Sequence, residues 1–258
     1  MASDLPAAHG IAPGFFPISP VLAGHVQPVP RRIRAIAAGR TVVDSVNAHY
    51  VWEHPWYPQF YLPAADVDAE QLQHTGTIDG RHQPGAEAVN MVGADGTRPA
   101  GSYMATHDNP ALVGTYRFLW KALDAWFEED EEVFGHPRSP FVRVDAVRSH
   151  RHVRVSVGDV TIAETTSPVA VFETGLPPRW YFDPTEISWP HLAPIELRTR
   201  CPYKGLTTGY WDVVTGDGNI DEAAWSYEAP TRQLLPIAGL VAFDDAKVDV
   251  VASVLARD

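Results

Sequence analysis

With 258 residues, 45% of them hydrophobic, the chain can bury a real core and can hold one large domain or two of roughly 100–150 residues. Its formal net charge of −12, with no basic run or stripe, makes a surface that repels phosphate backbones, so nucleic acid is not expected as a partner. One cysteine, Cys201, excludes an internal disulfide and a multi-cysteine zinc site. Met1 to Pro20 has no basic start and no sustained apolar stretch, so the expectation is a soluble cytoplasmic protein without a signal peptide or membrane span.

The 23 prolines and 19 glycines favour short strands and turns over long helices. Residues 1–30 contain many of them and read as an N-terminal arm. From Arg31 to Val67 a pattern runs that returns, without a gap, from Arg151 to Ile187, 120 residues on. Arg34 falls on Arg154, Thr41 on Thr161, Val51 on Val171, Glu53 on Glu173, Pro58 on Pro178 and Tyr61 on Tyr181. Further on, Gly85 pairs with Gly205, Ser102-Tyr103 with Ser226-Tyr227, Gly114 with Gly239 and Phe118 with Phe243, as the offset grows to 124 and then 125. The first repeat is placed at residues 31–125 and the second at 151–258.

The stretch Leu119 to Phe134 has helix-like spacing, but its first half aligns with the valine-rich Asp244–Val251, which predicts strand over Ala122–Phe127. Residues 126–150 form a linker. Its acidic run, Glu128 to Glu132, reads as a solvated face, and His136-Pro-Arg138 reads as a turn or as a reach into the second repeat's pocket. In the second repeat, Arg151–Val157 alternates with period two, as a half-buried strand does. Gly158-Asp159 turns the chain into a hairpin with Val160–Thr165, and Val169–Phe172 is a third strand. Gly175-Leu-Pro-Pro178 forces a turn, because neither proline can donate to a ladder, and Arg179–Phe182 follows as a strand. Tyr210–Val214, a turn at Gly216-Asp-Gly218, a short helix around Pro236–Phe243 and a strand after Gly239 complete it. The predicted fold is mainly β: two tandem β-rich, tent- or sandwich-like repeats with short helices.

The strings Trp126-Phe-Glu-Glu-Asp-Glu-Glu, His136-Pro-Arg138, Phe172-Glu-Thr-Gly-Leu-Pro-Pro-Arg179, Cys201-Pro-Tyr-Lys-Gly205 and Ala224-Trp-Ser-Tyr227 resemble the bacterial family catalogued as domain of unknown function 427. The resemblance covers both repeats and implies β-rich, tent-like single or tandem domains with no established chemistry. The family is sometimes labelled nucleotidyltransferase-like. The residues give that label no support: there is no Walker lysine motif, no Gly-x-Gly-x-x-Gly, and Asp66–Asp68 lacks a Gly-Ser lead-in.

The two repeats act as an internal control. Opposite Arg179 stands Gln59, opposite Cys201-Pro-Tyr-Lys204 stands Arg81-His-Gln-Pro84, and opposite Trp225 stands Gly101. Residues lost from one copy while the scaffold remains point to a site in the other. Glu173 and Arg179 flank the Pro-Pro turn and would meet across it, either as a structural ion pair or over a ligand. Glu173 is the candidate general acid/base, Cys201 a candidate nucleophile in the field of Lys204 or else a packing residue, and Lys204 a candidate binding cation or acid or else a surface turn lysine. Arg179 suits an oxygen-bearing ligand. Tyr181, Tyr203, Trp211, Trp225 and Tyr227 are candidate pocket aromatics, with core packing the alternative for Trp211 and a scaffold role the alternative for Tyr181 and Tyr227, which persist in both repeats. His150 and His152 share a strand face but lack a carboxylate to complete a metal site, so neither metal nor cofactor is expected. No Gly-x-Ser-x-Gly elbow exists. The expectation is a metal-independent enzyme or ligand-processing protein. Its single site would lie in the second repeat, closed by the first repeat or the linker, and would take a small polar or anionic molecule. The competing expectation is a non-catalytic binding or assembly module whose stripped repeat serves a homodimer or docking surface.

Overall fold

Strand-forming residues alternate along most of the chain, and a computed structural model of the protein resolves them into antiparallel sheets. It describes residues 21–80, 83–94, 96–216 and 218–254. Most of the N-terminal arm (residues 1–20), Arg81, His82 and the turn residue Asp217 lie outside the described residues. Two units divide the chain, the first Pro20–Ser139 and the second from Pro140.

The first unit contains strands β1 (Val26–Pro28), β2 (Ile33–Ala37), β3 (Arg40–Ser45), β4 (His49–Val51), β5 (Gln59–Pro63), β6 (Leu72–Gly80), β7 (Gln83–Gly93), β8 (Gly96–Tyr103), β9 (Thr115–Phe118), β10 (Ala125–Glu128) and β11 (Glu131–Val133). The second contains β12 (Val144–Arg148), β13 (His152–Val157), β14 (Val160–Thr165), β15 (Val169–Glu173), β16 (Arg179–Phe182), β17 (Leu192–Pro194), β18 (Arg200–Cys201), β19 (Gly205–Leu206), β20 (Gly209–Thr215), β21 (Gly218–Ser226), β22 (Val241–Phe243) and β23 (Asp249–Ser253). Each unit builds a large sheet of the same topology, β1-β4-β5-β9-β8-β7-β6 and β12-β15-β16-β22-β21-β20-β17. A smaller sheet accompanies each, β11-β10-β2-β3 and β14-β13-β23.

The repeat extends to single hydrogen bonds. A bulge falls after Ala35 in one unit and after Val155 in the other. The isolated bridges Val43–Val67 and Ala163–Ile187 correspond, as do the 2.7 Å bonds from Ser45 to Asp66 and from Thr165 to Glu186. β1 pairs with β4 as β12 pairs with β15, so each unit begins before Arg31 and before Arg151, and the ends of the predicted arm and linker are strands of the units.

A main core lies between the large and small sheets of each unit: Ile33, Ala35, Val43, Phe60, Leu62, Phe118 and Trp126 in the first; Val153, Val155, Ile162, Phe182, Val213 and Phe243 in the second. The outer face of each large sheet buries a second cluster, Val51, Tyr61, Ala86, Met104 and Leu112 or Val169, Val171, Tyr181, Tyr227, Leu234, Ile237 and Ala242. Sheets buried on both faces explain why the central strands are apolar almost without interruption.

Several expectations need correction. The strand expected over Ala122–Phe127 runs Ala125–Glu128, after a 3-10 turn at Trp120–Ala122. The short helix expected around Pro236–Phe243 is a 3-10 turn at Arg232–Ile237, matched in the first unit by one at Pro110–Leu112. Glu128 does not belong to a solvated face: it is 4% exposed and meets Arg31 and Arg138, the partners a buried carboxylate requires. His136 stacks on Tyr57 at 3.9 Å and Arg138 faces Glu128 and Glu131, so both are engaged inside the first unit. His152 bonds Glu164 at 2.6 Å, and no group of three metal-binding side chains occurs among the described residues. No described helix is long and apolar enough to cross a membrane.

Candidate functional site

Period two decides what the second unit's outer face offers. On β16, Trp180 and Phe182 enter the main core, which turns Arg179 and Tyr181 to the other side. On β15 the same alternation places Val169, Val171 and Glu173 together. Gly175, at φ +83°, carries the chain through the turn that brings Leu176 and Pro177 over them. These residues, with Thr199, Lys204, Tyr210, Trp225 and Tyr227, line a cavity of about 260 Å³.

Lys204 reaches the cavity from the tip of a two-stranded hairpin, β18–β19. The tip is tied down by Thr231, whose hydroxyl donates to the Tyr203 carbonyl at 2.6 Å and whose N–H donates to the Lys204 carbonyl at 3.1 Å. The Lys204 ammonium donates to Glu173, and both side chains are only 12–13% exposed. Arg179 does not meet Glu173 across the turn. Its guanidinium donates to the Phe243 carbonyl at 2.6 Å and to Asp245 at 2.9 Å, and lies over the Trp225 ring at 5.3 Å. Both cations are therefore matched to carboxylates. The Tyr181 hydroxyl is buried and makes no hydrogen bond to a described residue; the Trp225 indole comes near without hydrogen-bond geometry. Burial raises the pKa of Tyr181, Tyr227 and Tyr210, so all three hydroxyls hold their protons near neutral pH and are available to donate.

Of the predicted residues, Glu173, Arg179, Tyr181, Lys204, Trp225 and Tyr227 share this cavity. Cys201, Tyr203 and Trp211 are not among its lining residues. Cys201 sits in the hairpin ladder opposite Gly205 and Tyr203 at its tip. Trp211 packs against the main core and edge-on to Trp189, because on β20 it is Tyr210 that faces the cavity. Sequence reasoning missed Tyr210, Thr199, Leu176 and Val171. The alternation of β20 signals that Tyr210 and Trp211 take opposite faces, but not which face holds the site.

The first unit carries a hydrogen-bonded cluster at the equivalent carboxylate. Arg117 on β9 grips Glu53 with two bonds of 2.9 Å, and Glu53 also accepts from Tyr61 at 3.1 Å and from Gln83 at 3.2 Å. Ser102 donates to Gln83 at 2.6 Å. The guanidinium of the first repeat is thus moved to a neighbouring strand and not lost. Position 117 corresponds to Ala242, which pairs with Tyr181 on one side and Trp225 on the other. Pairing also corrects the sequence alignment by one residue, since Arg117 lies opposite Ser102 as Ala242 lies opposite Trp225. Gly114 donates to the Met104 carbonyl as Gly239 donates to that of Tyr227, so Met104 takes the place of Tyr227. Tyr103 instead faces the main core beside His74 and Tyr116.

A family model described as "Domain of unknown function (DUF427)" matches residues 25–129 and 145–254, one match to each unit. No curated protein matches the sequence.

Proposed function

Because the chain belongs to the DUF427 family, twice over in tandem, and that description assigns no activity, we propose from the cavity itself that the second unit binds a small polar molecule. The observation that carries this reading is the buried, unpartnered Tyr181 hydroxyl on the cavity wall. A buried polar group left without a partner costs on the order of 1–3 kcal/mol, and a ligand acceptor would recover it. Trp225 and Tyr210, with ring centres 6.0 Å apart and 30° between planes, supply a broad aromatic wall. The pairing of Arg179 with Asp245 and of Lys204 with Glu173 favours a polar, uncharged guest over an anionic or phosphate-bearing one. This reading sets the protein in a reducing cytoplasm, which the unpaired Cys201 suits.

A second reading adds proton transfer. Glu173 and Lys204 are in direct contact and both line the cavity, so together they form a donor–acceptor pair beside any guest.

The test is a ligand-observed NMR screen of small polar fragments against the wild type and Ala242→Arg, which places an arginine between the cavity residues Tyr181 and Trp225, at the position equivalent to Arg117. Hits that vanish in the variant, with the fold intact by circular dichroism, are the expected result. A screen in which every hit survives Ala242→Arg would remove the cavity from consideration.

A further inference from the structure

We infer that the guest carries a neutral, planar headgroup that both donates and accepts hydrogen bonds, of carboxamide or urea type, seated where the first unit lays the guanidinium of Arg117; this rests on the cavity being a binding site. In the first unit the Glu53 carboxylate receives four side-chain hydrogen bonds, two from Arg117 and one each from Tyr61 and Gln83. In the second unit Glu173 receives its single side-chain hydrogen bond among the described residues from Lys204. Tyr61 donates to Glu53, whereas Tyr181 donates to no described residue. Ala242 removes the side chain that supplied the donors. On the wall of the same cavity, Glu173 therefore has accepting capacity that Glu53 spends on Arg117, Tyr61 and Gln83, and Tyr181 has no acceptor among the described residues.

Charge then selects among planar groups that carry N–H. A guanidinium or amidinium would meet Glu173 already neutralised by Lys204, and would add a positive charge next to the ammonium. A carboxylate would offer Tyr181 an acceptor but would place a like charge beside Glu173 and bring no donor. An amide or urea supplies both functions with no net charge. Its flat faces suit a slot between the Trp225 and Tyr210 rings on one side and Val171, Leu176 and Pro177 on the other.

Three probes share one ring and differ only in headgroup charge: benzamide, benzamidine and benzoate. Their affinities for the full chain are measured by NMR titration, for wild type, Tyr181→Phe and Ala242→Arg. The expected order places benzamide at least about tenfold tighter than either charged analogue, a difference of one hydrogen-bonded or repelled group. Tyr181→Phe, which keeps the shape and needs no refolding of its surroundings, should weaken benzamide by roughly three- to tenfold. Ala242→Arg should abolish binding. If benzamidine or benzoate binds more tightly than benzamide and is lost in Ala242→Arg, the headgroup assignment is wrong while the binding site stands. Benzamide affinity unchanged by Tyr181→Phe would also overturn the assignment. If no probe binds a wild type that melts cooperatively, the assignment and the binding site fall together.

Discussion

Two rows of side chains, one on each large sheet, differ in a way that separates scaffold from site. In the first unit the row runs Tyr61, Arg117, Ser102, Ala88; in the second it runs Tyr181, Ala242, Trp225, Tyr210. One large residue becomes small in the centre while two small ones become large beside it. The exchange sets a hydrogen-bonded cluster in one unit against a walled cavity in the other, on sheets of the same topology. The carboxylate keeps a cation in both units, Arg117 for Glu53 and Lys204 for Glu173. Neutralising a poorly solvated carboxylate is therefore a demand of the scaffold, because an unpaired charge there would be costly. The hydroxyl without a partner belongs to the second unit alone of these two clusters, and it marks the point where the units part in function.

Four measurements test this difference between the units. The largest effect is expected from Arg117→Ala, which strands Glu53 with its side chain only 13% exposed and should cost about 3 kcal/mol in a denaturant titration. A loss well under about 1 kcal/mol would show that Tyr61 and Gln83 suffice to hold the carboxylate and that Arg117 is not the filling that the second unit lacks. Next, Arg179→Ala removes charge-assisted bonds to Phe243 and Asp245 and the support under Trp225, and should destabilise by about 2 kcal/mol. The same measurement with Gln59→Ala, at the first unit's equivalent position, should give a clearly smaller loss.

A smaller effect has opposite signs in the two units. Tyr61→Phe deletes a hydroxyl that donates to Glu53 and should cost about 1 kcal/mol, whereas Tyr181→Phe deletes one without a partner and should leave stability equal or higher. Equal losses in parallel melts would contradict the claim that the two hydroxyls differ. The smallest effect near neutrality is the response to alkali. Burial raises the pKa of Tyr61, Tyr181 and Tyr227 in the folded protein above the unfolded value of about 10. Their contribution is complete below about pH 10 and is lost as pH rises toward the folded values, because the unfolded chain ionises first. Melting temperature followed from about pH 9 to 11 should fall, and less steeply for either Phe variant. A slope that neither substitution changes would assign the effect to other groups.

Much of this was legible in residues. The gapless offset between Arg31–Val67 and Arg151–Ile187 announced two β units, and the Pro177-Pro178 turn with its flanking strands follows from proline's missing N–H. The alternation of β16 puts Arg179 and Tyr181 on one face. Other features were hidden for identifiable reasons. A search for charges gained by the second repeat passes over Arg117, because the informative charge is the one the second repeat gives up. Cys201 carries thiol chemistry by type, yet its place in the hairpin ladder, close enough to act on Tyr181 and Tyr227 but not among the residues lining the cavity, is set by the tertiary structure.

The duplication, the strands and the pairs of residues that share a face follow from residue order, because side chains on a strand alternate with period two. Tertiary structure alone decided which face became a cavity, which carboxylate each cation meets, and that Arg117 stands where Ala242 does opposite Ser102 and Trp225. Those depend on interstrand register and on how a separate hairpin folds back. A one-residue shift between strands exchanges every neighbour while leaving each strand's own pattern intact.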